Sequence, residues 1–147
     1  MPTEMIIREV NSATPDRADA IASCEALHRQ LRPDVEQPYV AHITAMLAEG
    51  ACLAIGDINS DPHCLALYRV FKTTLGGPRL YIDDIVTTPA GRGHGYGATM
   101  LRWLEATATA QSCLMSTLDS GVQRAPAHRF YLRHGYDITA FSFEKAL

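Results

Sequence analysis

The chain has 147 residues, of which 47% are hydrophobic and 20% charged, the proportions of one globular domain with a sizeable core. Its formal net charge of −3 does not favour a general nucleic-acid surface. No run approaches the roughly 20 apolar residues of a membrane span, and the N-terminal stretch lacks the apolar region of a signal peptide. We therefore predict a single domain over residues 1–147, in the cytoplasm, with no nucleic-acid or membrane partner.

The cysteines and histidines show no metal-binding or redox spacing. The four cysteines form no CxxC pair, and the six histidines include no HExxH motif. A disulfide scaffold would be shorter and denser in cysteine. We predict reduced core thiols and no metal site.

In the first half of the chain, the pattern predicts a strand over residues 5–10 and then a helix from Thr14 to Pro33. Thr14 is a suitable cap for that helix, and Pro15 suits its first position. The apolar face of the helix comprises Ile21, Cys24, Leu27, His28 and Leu31. A second, shorter helix is predicted to end at Gly50.

In the second half, three apolar runs separated by turn residues predict strands, and two helices and two more strands follow. The predicted strands are 51–57, 63–73, 79–88, 113–118 and 136–146, and the helices run from the glycine-rich turn to Ser112 and over 124–135. The predicted order is β-α-α-β-β-β-α-β-α-β. This order indicates an α/β domain with a mixed sheet.

The stretch IVTTPAGRGHGYGATML, residues 85–101, leads from a strand through a glycine-rich turn into a helix. Such a turn directs free backbone N–H groups and the positive end of the helix dipole at one point, which favours an anion, most naturally a phosphate. Gly93, Gly95 and Gly97 let the backbone approach the anion closely. Arg92 adds a positive charge. The stretch therefore predicts an anion site.

Two well-known phosphate loops fit this turn poorly. A P-loop needs Gly-Lys followed by Ser or Thr, which is absent. A Rossmann turn has the spacing GxGxxG and follows an early strand, whereas this turn has GxGxG in mid-chain. Asp119, which closes the next strand, keeps the Rossmann interpretation open. A glycine-rich connector that binds nothing is a further alternative.

The segment RGHGYG resembles the pyrophosphate-binding motif Arg/Gln-x-x-Gly-x-Gly/Ala of the GCN5-related N-acetyltransferase (GNAT) family. A second segment, AHRFYLRHGY at 127–136, resembles that family's fourth-helix signature, and the element order also matches. The resemblance implies a GNAT-like fold of the α/β class. This fold has a mixed, mostly antiparallel sheet, splayed between its fourth and fifth strands and flanked by helices.

The resemblance also implies acetyl-CoA as cosubstrate, with its pyrophosphate at the turn and its pantetheine along the preceding strand. The implied cofactor-binding residues are Ile85, Val86, Thr87, Arg92, Gly93, His94, Gly95, Tyr96, Gly97, Ala98 and Arg124. Arg124 stands where many members of the family have Asn, seven residues before the tyrosine. Contact with a phosphate and simple solvation are both open for this residue.

Acetyl transfer to an amine needs a neutral attacking amine, a donor for the oxyanion and a proton for the leaving thiolate. The resemblance implies that Tyr131 is the general acid, and packing against the sheet is the alternative. Strand alternation places Asp83 and Asp84 on opposite faces. We predict that Asp83 is the base or binds the amine, with Asp84 in reserve, while an exposed strand end and a water base stay open.

The predicted function is acetyl transfer from acetyl-CoA to an amine, most simply a small primary amine. The C-terminal part resembles aminoalkylphosphonate and polyamine acetyltransferases. The alternatives are a non-catalytic acyl-CoA sensor and a protein acetyltransferase that acts on N-termini or lysines. A monomer and a homodimer are both open.

Overall fold

A computed structural model describes residues 3–147. Its elements are β1 (Ile6–Val10), α1 (Arg17–Ser23), α2 (Glu25–Leu31), α3 (Tyr39–Ala48), β2 (Ala51–Ile58), β3 (Asp61–Phe71), β4 (Arg79–Thr87), a 3-10 turn (Pro89–Gly91), α4 (Tyr96–Ala110), β5 (Met115–Leu118) and α5 (Ala125–Arg133). The chain divides into two compact units, one ending at Thr117 and the other covering Leu118–Leu147. The prediction of one domain stays a prediction.

The five strands form one sheet in the order β1-β2-β3-β4-β5. The first four strands pair antiparallel, and β4 and β5 run parallel. The predicted mixed, mostly antiparallel fold is therefore confirmed. Leu114 N–H donates to the Pro78 carbonyl at 3.0 Å, so β5 begins beside the start of β4. Because β5 has four residues and β4 has nine, β4 continues well past the length of β5.

The main core lies between one face of β2 and β3 and the helices α1 and α3. The strands contribute alternate residues to it because successive side chains point to opposite faces. Its fully buried members include Ile21, Ile43, Leu53, Ile55, Leu65 and Leu67. Burial of this apolar surface fixes α1 and α3 on this side of the sheet.

The other face of the sheet is covered by α4, which packs on β3 and β4. Its buried residues are Met100, Leu101, Leu104 and Ala108, whose spacing of three or four residues places them on one face of the helix. The Tyr68 ring on β3 contacts the Trp103 ring edge-on, with centroids 6.0 Å apart. Among the described helices none is long and apolar enough to cross a membrane.

The single helix predicted from Thr14 to Pro33 is wrong, because two short helices meet at Cys24. Cys24 N–H donates to the carbonyl of Ile21, three residues back, which ends the first helix. Thr14 does not cap it either. The N-cap residue is Asp16, and the Thr14 hydroxyl accepts from Asn11 N–H instead.

The last predicted strand, residues 136–146, is also wrong. The chain leaves α5 through Gly135, whose φ of +87° suits a helix end, and then forms neither helix nor strand. Alternating apolar residues supply only one side of a strand pair. The hydrogen-bonding partner is a tertiary property that such a pattern does not encode.

Candidate active site

The turn after β4 is built on close backbone contacts. Thr88 N–H donates to the His63 carbonyl at 2.8 Å, and the Thr88 hydroxyl accepts from Gly91 N–H at 3.0 Å. A Cβ on Gly91 would lie 2.9 Å from that hydroxyl oxygen and 3.0 Å from the Tyr96 ring. Only glycine fits here, so the turn fixes how the chain enters α4.

The N-terminus of α4 offers free backbone donors. Gly93 and Gly95 have φ of +80° and +78°, and Gly95 is the N-cap, with no side-chain capping bond. Within residues 3–147, no protein acceptor is recorded for the N–H groups of Gly93, Gly95, Tyr96, Gly97 or Ala98. Unpaired N–H groups at a helix N-terminus form an anion site.

Four side chains lie at this N-terminus. Arg92 is exposed and has no ion pair in the part of the chain that the structure describes. His94 stacks on Tyr96 with ring centroids 5.6 Å apart, and His63 meets Tyr96 edge-on. The arginine therefore adds positive charge beside the free N–H groups.

A β-bulge lies in β4 at Asp83. Leu67 of β3 is in register with Asp84, and the next residue, Tyr68, is in register with Ile82, so Asp83 has no partner in β3. A bulge of this kind places two residues opposite one and interrupts the alternation of faces.

Both carboxylates consequently lie on the α1–α3 side of the sheet. Asp84 is opposite the core residue Leu67, and Arg69, two residues further on β3, shares the face of Leu67. Arg69 Nε donates to Asp83 Oδ2 at 3.0 Å. The prediction that Asp83 and Asp84 face opposite sides is wrong because it assumed an unbroken strand.

Asp84 ends a buried chain of hydrogen bonds. Arg32 donates to its Oδ1 through Nε at 2.8 Å and Nη2 at 2.7 Å, and His28 Nε2 is 2.8 Å from its Oδ2. His28 Nδ1 lies 2.9 Å from the Tyr39 hydroxyl. His28 is 1% exposed and Asp84 9%. Of this set, only Asp84 was predicted as a site residue, although the histidine on the apolar face of the first predicted helix was an available signal for His28.

The environments of the two neighbouring carboxylates push their pKa values apart. Burial raises the pKa of Asp83, and the Arg69 hydrogen bond offsets this only in part. Burial would also raise the pKa of Asp84, but hydrogen bonds from His28 and Arg32 outweigh it, so that this pKa is lowered. Asp84 is therefore the firmly ionised member of the pair.

A cavity of about 520 Å³ opens next to Asp84. Its apolar wall includes Leu31, Ile43, Met46 and Leu67. Its polar and charged lining residues are His28, Arg32, Asp34, Glu36, His42 and Asp84. Asp83 does not line it. A cleft that combines apolar surface with convergent polar groups is a candidate small-molecule site.

Tyr131 and Arg124 belong to the second unit. Tyr131 lies on α5, with its ring centroid 5.4 Å from Phe130 and 6.0 Å from Tyr136. Burial raises the pKa of Tyr131, so the phenol is protonated at neutral pH. Arg124 is the exposed N-cap of α5, with no side-chain capping bond.

A sequence model of the acetyltransferase (GNAT) family matches residues 12–136. The chain belongs to the GNAT family. It is 39% identical over 66 residues to an aminoalkylphosphonate N-acetyltransferase of Salmonella typhimurium, a match that covers 45% of this chain and 43% of that protein. The chain spans about half the length of the curated relatives it matches.

Solved structures agree with this GNAT assignment. A protein from Agrobacterium tumefaciens described as an acetyltransferase superposes with a TM-score of 0.82 at 25% identity, over 97% of this chain and 99% of that one. An aminoglycoside N-acetyltransferase, AAC(6')-Iy, in complex with CoA superposes at 0.81 and 17% identity, over 100% and 97%. GNAT acetyltransferases use acetyl-CoA as the acyl donor.

Asp84→Asn should lower the free energy of unfolding near neutral pH by about 1–3 kcal/mol, the cost of leaving buried hydrogen-bonding groups unsatisfied. A carboxyl whose pKa is lowered by folding stabilises the fold above its unfolded pKa of about 3.9, and the effect is lost as pH falls through the folded value. The difference from wild type should therefore shrink below about pH 4. Urea denaturation at a series of pH values measures it.

Asp83→Asn is the matched control for that change. Burial raises the pKa of Asp83, so its negative charge opposes folding near neutral pH. The same substitution should cost less there than Asp84→Asn. Equal losses for the two variants would contradict the assigned difference between the carboxylates.

Proposed function

We propose that the chain transfers the acetyl group of acetyl-CoA to a small primary amine that binds in the cavity beside Asp84. The observation that carries this proposal is the arrangement along β4. The strand has a carboxylate at a cavity in its middle and an anion-binding turn at its end. These features match the two demands of the reaction, namely an amine to bind and a pyrophosphate to hold.

The turn fits the pyrophosphate of acetyl-CoA. In the proposal, the N–H groups of residues 93–98 hold its oxygens and Arg92 adds charge. The backbone of Ile85 to Thr87 lies past the length of β5 and pairs with pantetheine and the acetyl carbonyl. Arg124 on the second unit stays open between a phosphate contact and solvation.

The acceptor amine binds near Asp84, and its alkyl part lies on the apolar wall of the cavity. An ionised carboxylate attracts the ammonium, which must lose a proton before it attacks. The amine nitrogen then forms a bond to the thioester carbonyl carbon, and the carbon–sulfur bond breaks. The proton lost by the amine leaves through Asp84, Asp83 or water.

Tyr131 supplies the proton for the departing thiolate. A protonated phenol with a raised pKa is in the state that a general acid requires. No covalent enzyme intermediate is needed. A cytoplasmic location stays a prediction from the sequence, and a monomer and a homodimer both stay open.

The direct test is thiol release from acetyl-CoA against a panel of primary alkylamines, diamines, aminoalkylphosphonates, aminoglycosides and peptides with a free N-terminus or a lysine. We expect turnover that depends on the acceptor, with small primary amines preferred. Preference for the peptides would indicate a protein acetyltransferase. Acetyl-CoA binding without turnover of any amine would overturn the enzymatic proposal in favour of a sensor.

Gly95→Val should weaken acetyl-CoA binding by about 10-fold or more, because the new side chain strains the turn and blocks the approach to its N–H groups. Gly50→Val is the matched control. Gly50 also has positive φ, and nothing lies within 4 Å of its Cβ position, but it lies in the turn between α3 and β2. Calorimetry that finds equal affinities in two folded variants would contradict the assignment of the turn.

Tyr131→Phe should lower kcat by about 100- to 10,000-fold, the range typical of general acid catalysis, and leave acetyl-CoA affinity nearly unchanged. Tyr136→Phe removes a hydroxyl from the neighbouring ring and serves as control. Steady-state kinetics over a range of pH makes the comparison. A Tyr131→Phe enzyme with wild-type kcat throughout that range would exclude this tyrosine as the acid.

A further inference from the structure

His28 and Tyr39, which form a hydrogen-bond chain with Asp84, have no role in the acetyl transfer described so far. We propose that His28, supported by Tyr39, is a positioning residue for the acceptor: it fixes the Asp84 carboxylate at the wall of the cavity. This inference rests on the proposed function and concerns the same cavity.

His28 acts through Asp84 because both of its ring nitrogens are engaged. Nε2 is 2.8 Å from Asp84 Oδ2 and Nδ1 is 2.9 Å from the Tyr39 hydroxyl, and the side chain is 1% exposed. An ionised carboxylate only accepts hydrogen bonds, so Nε2 carries a proton and donates it. In the neutral imidazole, Nδ1 then accepts from Tyr39, which fixes the tautomer.

The two oxygens of Asp84 are held in different ways. Oδ2 is bound by the buried His28, whereas Oδ1 is bound by Arg32, whose side chain is 52% exposed. An exposed arginine exchanges its partners with water and ligands more readily than a buried ring does. Oδ1 is therefore the oxygen that an acceptor ammonium reaches, while His28 keeps the carboxylate in place.

Several other charged groups face this chain. Asp84 raises the pKa of the neighbouring Asp83, although less than burial does. His28 and Arg32 are the donors next to Asp84, and Asp34, Glu36 and His42 line the same cavity. Burial raises the pKa of Tyr39, and the groups around that ring are Cys24, Glu25, Arg29 and Asp84. Hydrogen bonding from His28 is the first of the influences that lower the pKa of Asp84. Its loss should therefore raise that pKa towards the range in which an enzyme is assayed.

The test uses His28→Asn and His28→Gln, two neutral amides of different length. The amide nitrogen of Gln reaches as far as Nε2 and can still donate to Asp84, whereas Asn reaches only as far as Nδ1. We compare the factor by which the KM for the amine rises when the pH is lowered from about 8 to about 5.5. This factor should be at least about five-fold larger in His28→Asn than in wild type. His28→Gln should follow wild type, and kcat at the higher pH and the KM for acetyl-CoA should change little in both.

Each outcome of this test decides something. Identical KM–pH profiles for Asn, Gln and wild type, or an equal loss of kcat at every pH in both variants, would overturn the positioning role. If His28→Asn does not fold, Tyr39→Phe tests the same chain. It removes only the hydroxyl that fixes the tautomer, so it should give a smaller rise of KM at low pH, and no rise would overturn the inference. A wild-type protein that acetylates no amine refutes the proposed function instead.

Discussion

An ionised carboxylate in the interior of a protein must be compensated, because the desolvation of a charge costs several kcal/mol. In this chain the carboxylate is Asp84, and its compensation links β4 to both α2 and α3. The helices are thus held by more than apolar contact. The same contacts place His28 and Arg32 in the wall of a cavity that also presents apolar side chains from α2, α3 and β3.

The bulge at Asp83 determines on which face of the sheet the two carboxylates lie. A regular strand would send one of two adjacent carboxylates to the α4 side, where Tyr68 and Trp103 pack. The extra residue instead keeps both on the α1–α3 side, one paired with Arg69 and the other with His28 and Arg32. Neighbouring acids with different partners acquire different proton affinities, which is how proteins assign separate roles to two identical groups.

The sequence predicted those parts of the fold that depend on local pattern. The strand, turn and helix around Gly93 and Gly95 follow from backbone rules, and the apolar face of α4 from helical periodicity. The bulge could not be predicted, because it depends on the register between two strands and not on either strand alone. The break at Cys24 and the contact of His28 with Asp84, 56 residues away, are likewise tertiary. The predicted strand at 136–146 is the opposite case: its local pattern is that of a strand, but it pairs with no neighbouring strand in the described residues.

The N-cap residue of α4 is a glycine and therefore has no side chain to cap the first N–H groups of the helix. Compared with a serine or aspartate at such a position, a glycine typically costs a few tenths of a kcal/mol, so the chain gives up a small stabilisation at its anion site. Any ligand whose oxygens accept from these groups replaces the missing cap. By mass action, the melting temperature of the protein then depends on the concentration of that ligand. The fraction of the protein that stays folded therefore rises with the supply of its ligand.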